Sequence, residues 1–91
     1  MGGSYVAETW WLYMIECRGG QIYTGIARDV QARYEQHARG KGAKYTRMNP
    51  PARLLCRIEY PDRREAARAE YEMKRLTRSQ KLQRAAACGA A

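Results

Sequence analysis

The chain has 91 residues, which suffices for one domain and leaves no room for a second core. Seventeen Lys and Arg against nine Asp and Glu give a formal net charge of +8, and thirteen of those cations are Arg. The planar donor fork of Arg suits phosphate oxygens, so this charge indicates nucleic acid as the partner. No apolar run is long enough to cross a bilayer, and we expect no membrane partner. We predict a domain over residues 10–87 with flexible ends at 1–9 and 88–91.

Cysteine usage favours a cytoplasmic protein. Cys17, Cys56 and Cys88 are odd in number, and none of their spacings is that of a zinc site. We expect Cys17 and Cys56 to be buried thiols and Cys88 to be exposed. With no apolar signal segment at the N-terminus, all three thiols are expected to be reduced in the cytoplasm.

The first two apolar segments predict a β-hairpin. Residues 10–17 (WWLYMIEC) are rich in aromatic and branched side chains, and the pattern resumes at 21–27 (QIYTGIA) after an RGG turn. A three-residue loop pairs Tyr13 with Gly25 and projects Tyr13 and Tyr23 from the same face of the hairpin. A two-residue loop would place the two tyrosines on opposite faces.

A short helix and a basic segment follow the hairpin. Asp29 is a good N-cap for a helix that begins at Val30, runs to about Arg39 and is ended by Gly40. Residues 40–51 (GKGAKYTRMNPP) are basic, contain glycine and end in two prolines, and they are expected to be irregular.

A third strand and two helices complete the predicted fold. The strand covers residues 53–60 (RLLCRIEY), and Asp62 with Glu65 three residues later forms a capping box for a helix from Arg63 to about Arg75 or Thr77. A last short helix is expected over 79–87. This order, ββαβα(α), predicts an α+β fold in which helices pack on a small three-stranded, mainly antiparallel sheet.

Five side chains have the chemistry that phosphodiester hydrolysis requires. The reaction needs a proton acceptor for water, a cation beside the phosphate and a carboxylate for a divalent ion. Arg33 and His37 lie one turn apart on the first helix, and Glu70 lies beside the apolar stripe of the long helix. Tyr13 and Tyr23 share the hairpin face. Each also has an ordinary structural explanation. Core packing would explain the tyrosines, and an ion pair with Lys74, four residues later, would explain Glu70.

The order of these residues resembles the GIY-YIG nuclease superfamily, in particular its small stand-alone bacterial branch. LYM at 12–14 stands where the family has GIY, with Tyr13 as the matching tyrosine, and YTG at 23–25 stands for YIG. Three longer segments carry the rest of the likeness. DVQARYEQH at 29–37 resembles the helix that bears the family's arginine, and GKGAKYTR at 40–47 resembles the loop typical of this branch. AEYEMKRLT at 69–77 resembles the helix with the metal-binding glutamate. The likeness runs from about residue 10 to 84.

The resemblance implies a metal-dependent endonuclease that hydrolyses the phosphodiester bonds of DNA. By this likeness Glu70 holds Mg²⁺ or Mn²⁺, and Arg33 stabilises the phosphate in the transition state. Tyr13 acts as or assists the general base, while Tyr23 and His37 orient water or phosphate. His37 is a second candidate for the base, because an ordinary imidazole pKa near 6.5 lets it accept a proton at neutral pH.

Other interpretations remain open. Glu72 is close enough to Glu70 to compete as the metal ligand, although it points to the opposite, solvated side of the helix. A non-catalytic nucleic-acid-binding module of the same fold would also explain the charge. So would a small interaction protein with an acidic partner, for which Arg richness is the only support.

Residues flanking the proposed site are expected to contact nucleic acid, with DNA preferred over RNA and the protein a monomer or weak homodimer. Gly25 is expected to leave room for a ligand, and Tyr45 to stack on a base. The full predicted contact set is Gly25, Arg28, Arg39, Lys41, Lys44, Tyr45 and Arg47. The glycines at 40 and 42 are expected to let backbone N–H groups approach phosphates.

Overall fold

The fold is that of a three-stranded sheet covered by helices, in a computed structural model that describes residues 9–88. The elements in chain order are β1 (Trp10–Cys17), β2 (Ile22–Ala27), α1 (Val30–Ala38), α2 (Lys44–Met48), β3 (Pro51–Tyr60), α3 (Arg63–Lys74) and α4 (Arg78–Ala87). The predicted α+β class is confirmed. The expected flexible ends lie outside the described residues, apart from Thr9 and Cys88.

Strand β1 lies in the middle of the sheet, and both of its neighbours are antiparallel to it in the order β2-β1-β3. Tyr13 pairs with Gly25 and Ile15 with Tyr23, which confirms the three-residue hairpin loop and its register. The turn closes through Gly20, whose φ of +91° lies in the region that glycine adopts without strain.

Because side chains alternate along a strand, β1 contributes to two separate cores. Leu12 and Met14 pack with side chains of α3 and α4, including Met73 and Ala85. On the other face, Tyr13, Ile15 and Cys17 pack beneath α1 in a second cluster that includes Val30 and Tyr34. The sheet therefore has an α3–α4 face and an α1 face.

Side-chain caps fix the helices that carry the candidate residues. Asp29 accepts a hydrogen bond from the Ala32 N–H at the start of α1, and Asp62 accepts one from the Glu65 N–H at the start of α3. Both caps were predicted, and the observed helices end within one to three residues of the expected positions.

The segment between α1 and β3 differs most from the sequence-based expectation. The segment expected to be irregular contains the short helix α2, whose N-cap Ala43 makes no side-chain capping bond and so gave no sequence signal. Strand β3 begins at Pro51 rather than Arg53, since the Pro50 carbonyl accepts from the Arg18 N–H and draws the chain alongside the hairpin.

The three thiols stand as expected in the described residues, with Cys17 and Cys56 buried, Cys88 exposed and none of them in a disulfide. Among residues 9–88 there is no helix with the length and apolarity that crossing a membrane would require.

Candidate active site

Tyr13 is the centre of a polar cluster buried on the α1 face. It is 1% exposed, and its side chain crosses the backbone of β2 at Gly25. A Cβ atom on Gly25 would lie 2.5 Å from the Tyr13 hydroxyl oxygen. The expectation that Gly25 leaves room for a ligand is therefore wrong, because the Tyr13 ring fills that space.

A continuous hydrogen-bond chain links Tyr13 to the loop after α1. The Tyr13 hydroxyl lies 2.8 Å from His37 Nε2, and His37 Nδ1 lies 2.6 Å from Thr46 Oγ1. The Thr46 hydroxyl donates its one proton to the Ala43 carbonyl at 2.9 Å. Thr46 must then accept from His37 Nδ1–H, and Nε2 is left to accept from the Tyr13 hydroxyl. The Ala43 N–H, 3.4 Å from Nδ1, is too distant to compete with this arrangement.

Tyr23 completes the aromatic wall of the cluster. Its ring centroid lies 6.2 Å from that of Tyr13 and 5.1 Å from the His37 imidazole. Gly42 closes the other side, since a Cβ there would overlap the His37 ring. Gly42 therefore makes room for His37, which differs from its expected role at a phosphate.

Burial decides the protonation states in this cluster. It raises the pKa of the Tyr13 hydroxyl, as does the neighbouring Tyr23, while Arg33 acts in the opposite direction. Burial, reinforced by the charge of Arg33, lowers the pKa of His37 to about 4. At neutral pH Tyr13 is a protonated donor and His37 is a neutral acceptor.

Arg33 supplies the positive charge of the cluster. It is half-buried on α1, and its Nη1 donates to Gln36 Oε1 at 2.8 Å, which orients the guanidinium. It lies one helical turn before His37 on the same helix, and its charge acts on the pKa of both Tyr13 and His37. An arginine held in this way can meet negative charge that develops at a phosphate.

Glu70 lies on α3, on the opposite face of the sheet from α1, and is linked to the cluster through Lys74. Its Oε2 lies 3.1 Å from Lys74 Nζ, and that ammonium lies 5.9 Å from the centre of the Tyr23 ring. The ion pair expected as an alternative is thus present, and Glu70 is one side chain away from the aromatic wall. Glu72 is exposed and lines a different groove with Tyr60.

The acidic groups fit a divalent ion held by a single carboxylate. Within residues 9–88, no group of three His, Cys, Asp or Glu side chains is placed to bind a metal ion together. Mg²⁺ keeps most of its ligands as water and binds through one or two carboxylates, and the Glu70 side chain is 22% exposed. Glu70 is therefore the residue that would hold such an ion, provided that Lys74 moves aside.

Comparison with known proteins covers most of the described chain. The model of the GIY-YIG catalytic domain matches residues 9–83. The chain belongs to the GIY-YIG family. A UPF0213 protein of Cupriavidus pinatubonensis is 49% identical over 85% of this chain and 86% of the relative, and one of Xanthomonas axonopodis is 51% identical over 82% and 74%. The solution NMR structure of a UPF0213 protein from Bacillus halodurans covers 89% of this chain and 86% of its own, with 44% identity and a TM-score of 0.57.

The predicted basic contacts of this GIY-YIG domain are all exposed. Arg28 follows β2, Arg39 and Lys41 follow α1, and Lys44 and Arg47 lie on α2, the helix that carries Thr46. Exposed cations therefore occupy the connections before and after α1, the helix that carries Arg33 and His37.

Tyr45 lies beside the cluster, as expected, but with a partner from the protein. Its ring stacks on Tyr23, with centroids 5.7 Å apart and planes inclined by 30°, and it remains 42% exposed. A base could still stack on the outer face of this pair.

Thr46 and Lys81, which lie near the site, were not identified from the sequence, and Lys74 was expected only as the ion-pair partner of Glu70. Thr46 lies in a basic segment with no periodic pattern, and only the need of a buried histidine for a second partner could have pointed to a hydroxyl there. Lys74 and Lys81 come close to Tyr23 only because α3 and α4 turn back against β2.

Proposed function

We propose that this GIY-YIG protein is a divalent-metal-dependent endonuclease that hydrolyses phosphodiester bonds of DNA. The observation that carries the proposal is the buried Tyr13 hydroxyl, 2.8 Å from a neutral His37 and beside Arg33. A protonated tyrosine bonded to a neutral imidazole next to a fixed cation is suited to proton transfer at a phosphate.

Tyr13 and His37 act together in this proposal, which joins the two candidates for the base. Tyr13 passes its proton to His37 Nε2 as it takes one from the attacking water. Tyr13 thus never has to carry a full negative charge, which its raised pKa would oppose. Thr46 accepts from Nδ1–H and stabilises the imidazolium that forms.

Charge at the phosphate is balanced from two sides. The Arg33 guanidinium donates to the phosphoryl oxygens, and its hydrogen bond to Gln36 orients it before the reaction. Glu70 would hold Mg²⁺ or Mn²⁺, which supplies further positive charge and helps to activate water when bound. Lys74, its present partner, is then free to contact the nucleic acid.

A cleavage assay with one pair of variants tests the proposal. Labelled single-stranded, duplex and branched DNA is incubated with Mg²⁺, with Mn²⁺ or with EDTA, using the wild type, Glu70→Gln and Glu72→Gln. Each substitution removes one carboxylate from α3, and only Glu70 is paired with Lys74, the lysine whose ammonium lies over the Tyr23 ring. We expect Glu70→Gln and EDTA to abolish cleavage and Glu72→Gln to retain it.

Cutting that persists in EDTA, or in Glu70→Gln at the wild-type rate, would remove the metal from the proposal. DNA binding without cleavage in every metal would instead assign the chain to the non-catalytic modules. Faster cutting of an RNA of the same sequence would change the substrate class.

A further inference from the structure

A groove of about 330 Å³ lies on the side of Tyr23 away from Tyr13. It is lined by Ile22, Tyr23, Thr24, Tyr45, Lys74 and Lys81. These residues come from β2, α2, α3 and α4, so the groove wraps around the exposed edge of the sheet. Tyr23 separates it from His37, whose ring centroid is 5.1 Å from that of Tyr23.

The chemistry of the groove is that of a nucleotide site. Two ammonium groups, of Lys74 and Lys81, face an aromatic wall in which Tyr45 stacks on Tyr23, and no acid is among the six lining residues. Cations beside an exposed aromatic face bind the backbone and the base of a nucleic-acid strand together.

A buried hydroxyl without a partner is a second, independent indication of a ligand. Thr24 is 2% exposed, and its Oγ1 makes no hydrogen bond to any described residue. A buried hydroxyl that is left unsatisfied destabilises the fold. A donor or acceptor that enters the groove would satisfy it.

We propose that this groove holds the nucleotide next to the scissile phosphate, with its phosphate on Lys74 and Lys81 and its base on the outer face of Tyr45. The inference rests on the proposed nuclease function for the identity of the scissile phosphate. Release of Lys74 from Glu70 couples the two sites, because the same ammonium serves the carboxylate or the strand.

Binding measured without cleavage tests the groove directly. The affinity of a fluorescent DNA strand is measured in EDTA over a range of salt for the wild type, Lys81→Gln and Arg68→Gln. Arg68 is the matched control, since it is an exposed cation on α3 that lies with Glu65 and Glu72 in a separate groove.

Lys81→Gln is expected to weaken binding about fivefold at low salt and to reduce the slope of log affinity against log salt by about 0.7–0.9. Arg68→Gln should stay within about twofold of the wild type, since it removes no phosphate contact. In cleavage, Lys81→Gln should raise KM more than it lowers kcat, as expected of a residue that binds and does not react.

Tyr45→Leu separates base stacking from charge. We expect it to weaken binding of an ordinary strand by about fivefold or more, and to leave binding of a strand of abasic residues unchanged. Equal losses on both strands would overturn the stacking role.

The two proposals can fail separately. If Lys81→Gln and Arg68→Gln bind alike while the wild type cuts DNA, the groove is wrong and the nuclease stands. If Lys81→Gln alone weakens binding but the wild type cuts nothing, the groove remains a strand contact and its place beside a scissile phosphate is overturned.

Discussion

The two faces of the sheet differ in what they bury, although one strand supplies both. Towards α3 and α4, β1 buries Leu12 and Met14 among apolar side chains. Towards α1, the next residue of the strand, Tyr13, is buried against His37 and Thr46. Burying apolar area stabilises a fold directly, whereas a buried polar network contributes little net stability even when every member is bonded.

This difference suggests a division of labour. The α3–α4 face should determine how stable the protein is, and the α1 face should determine what it does. The polar atoms along the Tyr13–His37–Thr46 chain are each bonded, so removing one leaves its neighbour unpaired in a buried place. The following predictions test this division, from the largest expected effect to the smallest.

Leu12→Ala should break the apolar face. The side chain is completely buried, and its truncation should cost about 2–5 kcal/mol of unfolding free energy. Urea unfolding measures the loss, and cleavage per folded molecule should stay close to the wild type. If Leu12→Ala kept the wild-type stability but lost activity, the proposed roles of the two faces would be wrong.

Acid should act on the polar face through His37, the only histidine of the chain. Its pKa is lowered to about 4 in the folded state, so between pH 6.5 and 4 the unfolded chain binds a proton that the native state does not. Stability from this group is complete above pH 6.5 and falls as the pH drops towards 4.

Urea unfolding at pH 7 and 4.5 checks this effect. From pH 7 to 4.5 the wild type should lose roughly 2–3 kcal/mol more than His37→Gln, in which the carboxylates titrate but the imidazole is gone. NMR titration of the single imidazole signal should give a midpoint near 4. A midpoint near 6.5 would mean that His37 is solvated.

Thr46→Val should misorient His37 with little change in shape. Without the hydroxyl, Nδ1–H loses its acceptor, and we expect kcat to fall about tenfold, the equivalent of one hydrogen bond. The ¹⁵N NMR signals of the imidazole should show Nε2 as the unprotonated nitrogen in the wild type and in Thr46→Ser, and a mixture of tautomers in Thr46→Val. If Thr46→Val were less stable but kept the wild-type tautomer of His37, the role of Thr46 would be packing alone.

Most of the fold could be predicted from the sequence, because the features that specify it involve residues close together in the chain. The glycine turn and the alternating apolar residues specified the hairpin register, and Asp29 and Asp62 marked two helix starts. The GIY-YIG resemblance grouped residues from separate elements. Of these, Tyr13, Tyr23 and His37 lie in ring contact, whereas Glu70 pairs with Lys74.

What the sequence could not predict depends on tertiary contacts. Helix α2 has no side-chain cap at its start, and the Thr46 hydroxyl, bonded to Ala43 and His37, holds it in place. The space at Gly25 and Gly42 was assigned to ligands, but Tyr13 and His37 fill it, because which group approaches a glycine is set by the fold.

The central claim, that the Tyr13–His37 pair moves the proton in DNA hydrolysis, is tested most directly by single-turnover cleavage with Tyr13→Phe and Tyr34→Phe. Both tyrosines belong to the α1-face core, and only Tyr13 bonds to His37. With Mg²⁺ and saturating DNA, we predict a rate about 10²–10⁴-fold lower for Tyr13→Phe and a near wild-type rate for Tyr34→Phe, with both proteins folded. A Tyr13→Phe protein that cuts DNA at the wild-type rate would contradict the account.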